Sequence, residues 1–288
     1  MSFDLEPDDV FDGQAHIWAD ATPERPWRPE WFSRAHRFPA LGGKELLAMM
    51  DDAGVGRAVL VQPSWAGDDN DVVIEAAERH PGRFVVMARV PVDRASGEPM
   101  LEAFAEHPAI FGVRLTFHRP EMQAWLTDGT TDWLWPELAA HGLAAMVYAP
   151  GRNPELRRIA RRNPGLRLAV DTLGLTLTMR DDEIEAPVRD LEIFADVPNV
   201  VVKATALPGY VSDGYPFASL APRLRFLFDT LGKDRVLWAS DLTRVPHPYR
   251  SIVTFAADLG VLSDDEITAF MGRSLANWLS PGRPNTDR

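Results

Sequence analysis

Proton transfer in a protein needs carboxylate or imidazole groups, and anion binding needs guanidinium or ammonium groups. In this sequence both kinds sit at the ends of short apolar runs. Gln14, His16 and Trp18 close the first run, and a side-chain period of two places them on one face of a strand. Asp241 follows Val-Leu-Trp-Ala-Ser near the other end of the chain. Between them, Gln62, Arg89, Arg114, Tyr148, Asp171, Thr172 and Lys203 lie in or just after comparable runs. Lys203 stands within Val-Val-Val-Lys-Ala, where a lysine is costly unless paired or functional. A buried Arg114 also needs a partner, which Asp241 or a substrate carboxylate would supply.

The elements that must position these residues show as a repeated change of period. Eight runs rich in Val and Leu read as strands over 10–16, 58–62, 84–90, 112–117, 144–149, 166–171, 200–204 and 236–240. Several are apolar nearly throughout, as in strands buried on both faces of a parallel sheet. Helical patterns occupy 44–54, 69–80, 132–141, 154–163, 183–196, 217–232 and 248–260, followed by a last helix capped by Ser263 with Glu266 three residues on. Eight βα units in one chain of 288 residues predict an α/β fold, a single (β/α)8 TIM barrel spanning 1–288. The alternative is a doubly wound open sheet, but no G-x-G-x-x-G follows the first strand. A barrel places its chemistry at the C-terminal strand ends, which is where the residues above fall.

Composition narrows the class. The absence of cysteine excludes disulfide scaffolds, zinc–thiolate sites and cysteine nucleophiles. No run of 18 apolar residues occurs, so no membrane span is expected, and an acidic N-terminus reads as cytoplasmic rather than secreted. A formal charge of −12 without a basic block argues against nucleic acid. Against that acidic background, Arg114, His118, Arg119, Lys203, Arg244 and His247 gather around the expected barrel mouth, which suits a small anionic substrate. Taken singly, His118, Arg119, Arg244 and His247 read more readily as solvated loop charges than as site residues. The segment 18–40, with Trp18, Trp27, Trp31 and four prolines, reads either as a lid over a pocket or as a stiff cover on the barrel rim. G-x-S-x-G, H-E-x-x-H and P-loop motifs are absent.

Asp12-Gly-Gln-Ala-His16-Ile-Trp18 resembles the Asp-x-His-x-His-x-Trp opening of the amidohydrolase superfamily, in its amidohydrolase-related branch. Gly112-Val-Arg114-Leu, Asp171-Thr-Leu-Gly174, Asn199-Val-Val-Val-Lys203 and Trp238-Ala-Ser-Asp241-Leu are similar to further motifs of that branch, in order and at strand ends. The resemblance implies a barrel acting as a lactonase or a decarboxylase. It also implies a cation held by two histidines after strand one, a histidine on strand five or six, and the aspartate after strand eight. Here those positions carry Gln14, His16, Thr172 or Tyr148, and Asp241, so only His16 and Asp241 remain as good ligands.

The resulting expectation is a hydrolase for a lactone or similar cyclic ester bearing a carboxylate, working without a cofactor. One divalent metal such as Zn or Mn on His16 and Asp241 is the alternative. Asp241 would be the general base, His16 would orient the water, and Lys203 or Arg114 with Tyr148 would stabilise the oxyanion. Gln14, Trp18, Arg114, His118, Arg119, Asp171, Thr172 and Arg244 would line the substrate. Two other readings remain: a non-hydrolytic decarboxylase, lyase or cyclase if the tryptophans close the pocket to water, and a non-catalytic binding protein. The sequence leaves a homo-oligomer open.

Overall fold

Eight of the apolar runs become eight parallel strands: β1 (Phe11–Ala15), β2 (Arg57–Val61), β3 (Phe84–Ala88), β4 (Ile110–Thr116), β5 (Ala144–Tyr148), β6 (Leu168–Val170), β7 (Val200–Thr205) and β8 (Val236–Ala239). They hydrogen-bond in sequence order in one sheet. The computed structural model describes residues 5–280, so the first four and the last eight residues lie outside the described residues. Helices α1 (Gly43–Ala53), α2 (Asp71–Arg79), α3 (Arg94–Glu106), α4 (Pro120–Ala124), α5 (Leu134–Ala140), α6 (Asn153–Arg162), α7 (Glu185–Asp190), α8 (Ala221–Leu231), α9 (Tyr249–Asp258), α10 (Asp264–Thr268) and α11 (Ser274–Leu279) complete the (β/α)8 barrel. Among the described residues no helix is long and apolar enough to cross a membrane.

The period of two sorts each strand into an outward apolar set and an inward set that changes character along the barrel axis. Low in the barrel, Val59, Met87, Met146, Ala169, Val201 and Leu237 pack together in one apolar cluster. Leu275, Trp278 and Leu279 of α11 join that cluster and close the bottom. Two residues further along the same faces come Arg89, Tyr148, Asp171 and Lys203. The interior is therefore an apolar plug beneath a polar layer, and the polar layer faces the mouth.

The barrel is closed between β8 and β1 by side-chain bonds. Asp12 is fully buried and accepts from Ser240 N at 2.8 Å, Tyr249 OH at 2.6 Å and Gln14 N at 3.0 Å, and from Ser240 Oγ. Asp241 N donates to Gln14 O at 3.0 Å just above. At this seam β1 lies so near β8 that a Cβ on Gly13 would come within 2.6 Å of Trp238 O.

Three expectations shift. Helix α3 had no sequence counterpart, because Gly97 and Pro99 interrupt its pattern; it is started by Asp93, whose carboxylate accepts from Ser96 N. The helix expected over 183–196 divides into a short α7 between 3-10 turns, with Pro187 inside it. The one expected over 217–232 opens as a 3-10 turn before α8. The Ser263–Glu266 capping box is present.

If the seam depends on this close approach, Gly13→Ala should cost about 1–3 kcal/mol, the range for overpacking a filled core. Urea unfolding would measure it; parent-like stability would mean that the seam has slack.

Candidate active site

The mouth of the barrel holds a cavity of about 110 Å³. Gln14 and His16 come from the end of β1, Arg89 from β3, Arg114 and Thr116 from β4, Tyr148 from β5 and Asp241 from the loop after β8. Its charged lining is three guanidiniums, Arg89, Arg114 and Arg244, against one carboxylate, Asp241.

A row of buried charges forms the floor. Asp171, fully buried, accepts from Arg114 Nη1, from Thr205 Oγ1 at 3.1 Å and from Thr172 Oγ1 at 3.3 Å, and its Oδ1 lies 3.0 Å from Lys203 Nζ. Lys203 Nζ also donates to Gln14 Oε1 at 2.6 Å and Gly13 O at 3.3 Å. One anion thus holds two cations. Burial, and then Arg114, push the Lys203 amine well below its ordinary value, against the pull of Asp241 and Asp12. Nζ nonetheless faces three oxygen acceptors, Asp171 Oδ1, Gln14 Oε1 and Gly13 O, and this cage favours the ammonium. Burial and the neighbouring Arg89 lower Arg114 to about 9, so its guanidinium keeps its charge at neutral pH.

Lys203 in turn sets the residues above it. With Oε1 facing the ammonium, Gln14 turns its Nε2 toward His16 Nε2 at 3.3 Å. His16 Nδ1 meets Val61 O at 2.7 Å, and since a carbonyl only accepts, the proton is on Nδ1. Nε2 therefore accepts from the Gln14 amide, and it lies 3.5 Å from Asp241 Oδ1. Burial holds His16 at about 3, with Arg244, Arg114 and Lys203 adding to the shift and the Val61 bond opposing it. The imidazole is neutral. Asp241 is 4% exposed and its Oδ1 has no hydrogen-bond partner, while Oδ2 lies 3.7 Å from Arg244 Nε. Its φ of 43° is left-handed, as are those of Thr172 and Ala206 at the neighbouring strand ends. Such backbone costs on the order of 1–3 kcal/mol per residue and tends to collect at sites where a side chain must be aimed.

The sequence-derived residues separate by depth. Gln14, His16, Arg114, His118, Tyr148, Thr172, Asp241 and Arg244 line the cavity. Lys203 and Asp171 lie beneath it, fully buried, so the expected oxyanion contact of Lys203 and substrate contact of Asp171 give way to support from below. Arg119 is half exposed and paired with Glu121 at 3.2 Å, beside the cavity. Trp18 turns away from the cavity to pack edge-on against His36 and Trp65, each at about 5.7–5.8 Å. His247 packs on Phe217 at 4.8 Å instead of facing the mouth. Arg114 takes Asp171 as its partner, not Asp241.

Sequence reasoning missed His36, Trp65 and Leu177, which also line the cavity. His36 is delivered by the proline-rich segment, whose base is tied by Trp18 N to Leu41 O at 3.1 Å and Ala40 N to Asp20 Oδ1 at 2.8 Å. It bonds Thr243 Oγ1 through Nδ1 at 2.7 Å, fastening the segment to the loop after β8. The segment is thus part of the wall through His36, while Trp27 and Trp31 stack on Trp65 outside. Only a fold-back over the mouth, which proline content does not reveal, could have signalled this.

The donor set does not match a tightly held divalent cation. His16 Nε2 is met by the Gln14 amide, Gln14 Oε1 by Lys203, and among the described residues no three His, Asp or Glu side chains converge as ligands.

A barrel of parallel strands with an imidazole, a carboxylate and guanidiniums at its C-terminal mouth is the layout of a barrel enzyme. The amidohydrolase family model matches residues 11–273, and the chain belongs to the amidohydrolase family. It is 25% identical over 231 residues to an L-fucono-1,5-lactonase of Burkholderia ambifaria, covering 80% of this chain and 79% of that protein. It is 24% identical over 244 residues to a 4-sulfomuconolactone hydrolase of Hydrogenophaga intermedia, covering 82% and 75%. Its fold is also that of an amidohydrolase from Burkholderia multivorans solved with zinc bound, with TM-score 0.75 and 19% identity over 94% of this chain and 98% of that one.

Burial of neutral histidines makes stability depend on pH. Folded His16 and His36 both titrate at about 3, for His36 through burial and then Arg244. The unfolded chain takes up these protons near 6.5, so stability is complete above that pH and falls as pH drops from about 6.5 toward 3. His16→Gln should flatten this slope in urea melts at pH 7, 6, 5 and 4; an unchanged slope would mean that His16 is protonated in the fold.

Proposed function

We propose that the protein hydrolyses a lactone bearing a carboxylate, with Asp241 as general base and without a firmly held divalent cation. The observation that carries this reading is Asp241, buried at the barrel mouth, whose Oδ1 has no hydrogen-bond partner and lies 3.5 Å from His16 Nε2. A water donating to Oδ1 would be held with a lone pair turned into the cavity.

The reaction then runs on this chain's own groups. As the water oxygen bonds to the lactone carbonyl carbon, its proton passes to Asp241. The carbonyl oxygen becomes an oxyanion, stabilised by the Tyr148 hydroxyl and the Arg114 charge, whose Cζ lies 5.5 Å over the Tyr148 ring. Burial raises the Tyr148 pKa, so the phenol stays a donor. Collapse breaks the ring C–O bond, and the proton on Asp241 moves to the leaving alkoxide. The product is a hydroxy acid and Asp241 is again a carboxylate. Lys203 acts through Gln14 and does not reach the reacting atoms.

Three guanidiniums around one carboxylate favour an anionic substrate. The names of the two relatives, one acting on a sugar lactone and one on a sulfonated lactone, support ring-opening of lactones as the reaction class. The zinc of the Burkholderia multivorans structure is not carried over, because Gln14 is already engaged by Lys203 and His16.

Asp241→Asn keeps the shape and removes the base. We expect kcat on a carboxylated lactone to fall at least about 100-fold with KM little changed, since a base acts mainly on the transition state. The parent should keep its rate after dialysis against a chelator. Full activity in Asp241→Asn would move the base elsewhere, and loss of activity on chelation that zinc restores would end the metal-free reading.

A further inference from the structure

The mouth has a second lobe. Behind Asp241 and Arg244 the cavity continues into a space of about 290 Å³, which shares His36, Thr172 and Leu177 with the first lobe and adds Tyr210, Arg180 and Thr243. The two lobes share Asp241 and Arg244 and differ beyond them. The first holds Arg89 and Arg114, and the second adds Arg180, the hydroxyls of Tyr210 and Thr243, and the apolar Ala206 and Val245.

Two buried polar atoms in the wall of the second lobe have no partner. Tyr210 is 4% exposed and its hydroxyl makes no hydrogen bond. His36 bonds Thr243 through Nδ1, and its Nε2 is buried and unpaired. An unsatisfied buried polar atom costs about 1–3 kcal/mol, so two at one surface call for an explanation. A ligand that brings its own hydroxyls satisfies both, since a hydroxyl donates and accepts. A second carboxylate does so less well. Arg180 is the one full cation added here, and its Nη1 is already bonded to Leu177 O and Met179 O at 3.0 and 2.6 Å.

We infer that this second lobe is a subsite for an uncharged, hydroxyl-bearing arm of the substrate. The inference rests on the lactonase reading and makes it narrower. Asp241 stands where the lobes meet, so the scissile ester lies between a carboxylate held by the arginines and a hydroxylated arm held by Tyr210 and His36. The substrate is then a carboxylated lactone with at least one free hydroxyl on the alkoxy side of the ring.

Binding tests this without requiring turnover. The probes are tetrahydrofuran-2-carboxylate, a ring that cannot be hydrolysed, and its 5-(1,2-dihydroxyethyl) derivative, titrated calorimetrically into the parent and Tyr210→Phe. The arm should tighten binding by roughly 2- to 12-fold, the range of one net hydrogen bond, and Tyr210→Phe should remove most of that gain while leaving the bare ring within about twofold. Tyr210→Phe should not lower the Tm, because the hydroxyl it deletes has no internal partner. Equal affinities for the two probes, or a gain that survives in Tyr210→Phe, would overturn the subsite and leave the lactonase reading standing. Failure of either ring to bind would overturn both. A Tm loss of several degrees would show that the hydroxyl is bonded within the protein, and the inference would fall.

Discussion

The arrangement depends on one buried carboxylate that holds two buried cations. Asp171 pairs with both Arg114 and Lys203, and without it two positive charges would lie at and beneath the cavity wall with no partner carboxylate. Lys203, so held, fixes Gln14, Gln14 turns its amide to His16, and the carbonyl of Val61 decides which nitrogen of His16 carries the proton. The result is a neutral imidazole fixed beside Asp241. Each step is a donor meeting an acceptor, and the directions follow from the Lys203 Nζ at the base, which donates, and from the Val61 carbonyl, which can only accept.

The same row sets the field in the cavity. An acidic protein sets three guanidiniums, Arg89, Arg114 and Arg244, around the mouth of the barrel, and Asp171 cancels only part of the charge there. An anion entering the mouth meets a preorganised charge that needs no solvent reorganisation. Lys203 and Arg114 place positive charge below and beside the cavity. The support is indirect for Lys203, which is fully buried, and direct for Arg114, which reaches the cavity wall.

Much of this was legible in the chain because strands buried on both faces must be apolar, so any polar residue in them stands out. Arg89, Arg114, Asp171 and Lys203 were found that way, and their common height in the barrel follows from the period of two. Their pairing was not legible: Arg114 could have met Asp241 as readily as Asp171, since sequence order does not fix which strand ends face each other across the barrel. Depth was hidden as well, so Lys203 was expected at the oxyanion and lies below Gln14. Helix α3 was hidden by its own Gly97 and Pro99. His36 was missed because it sits in an irregular segment, whose path is set by contacts with Thr243 and Trp18 that have no local signature.

The account stands on the claim that the guanidinium charge above Asp171 recognises an anionic lactone. The most direct measurement is kcat/KM for a carboxylated lactone and for its methyl ester, in the parent and in Arg114→Met. The parent should favour the acid by about 10- to 150-fold, the 1.5–3 kcal/mol of a charge-assisted contact, and Arg114→Met should remove most of that preference. Equal turnover of acid and ester in the parent, or a preference that Arg114→Met leaves intact, would contradict it.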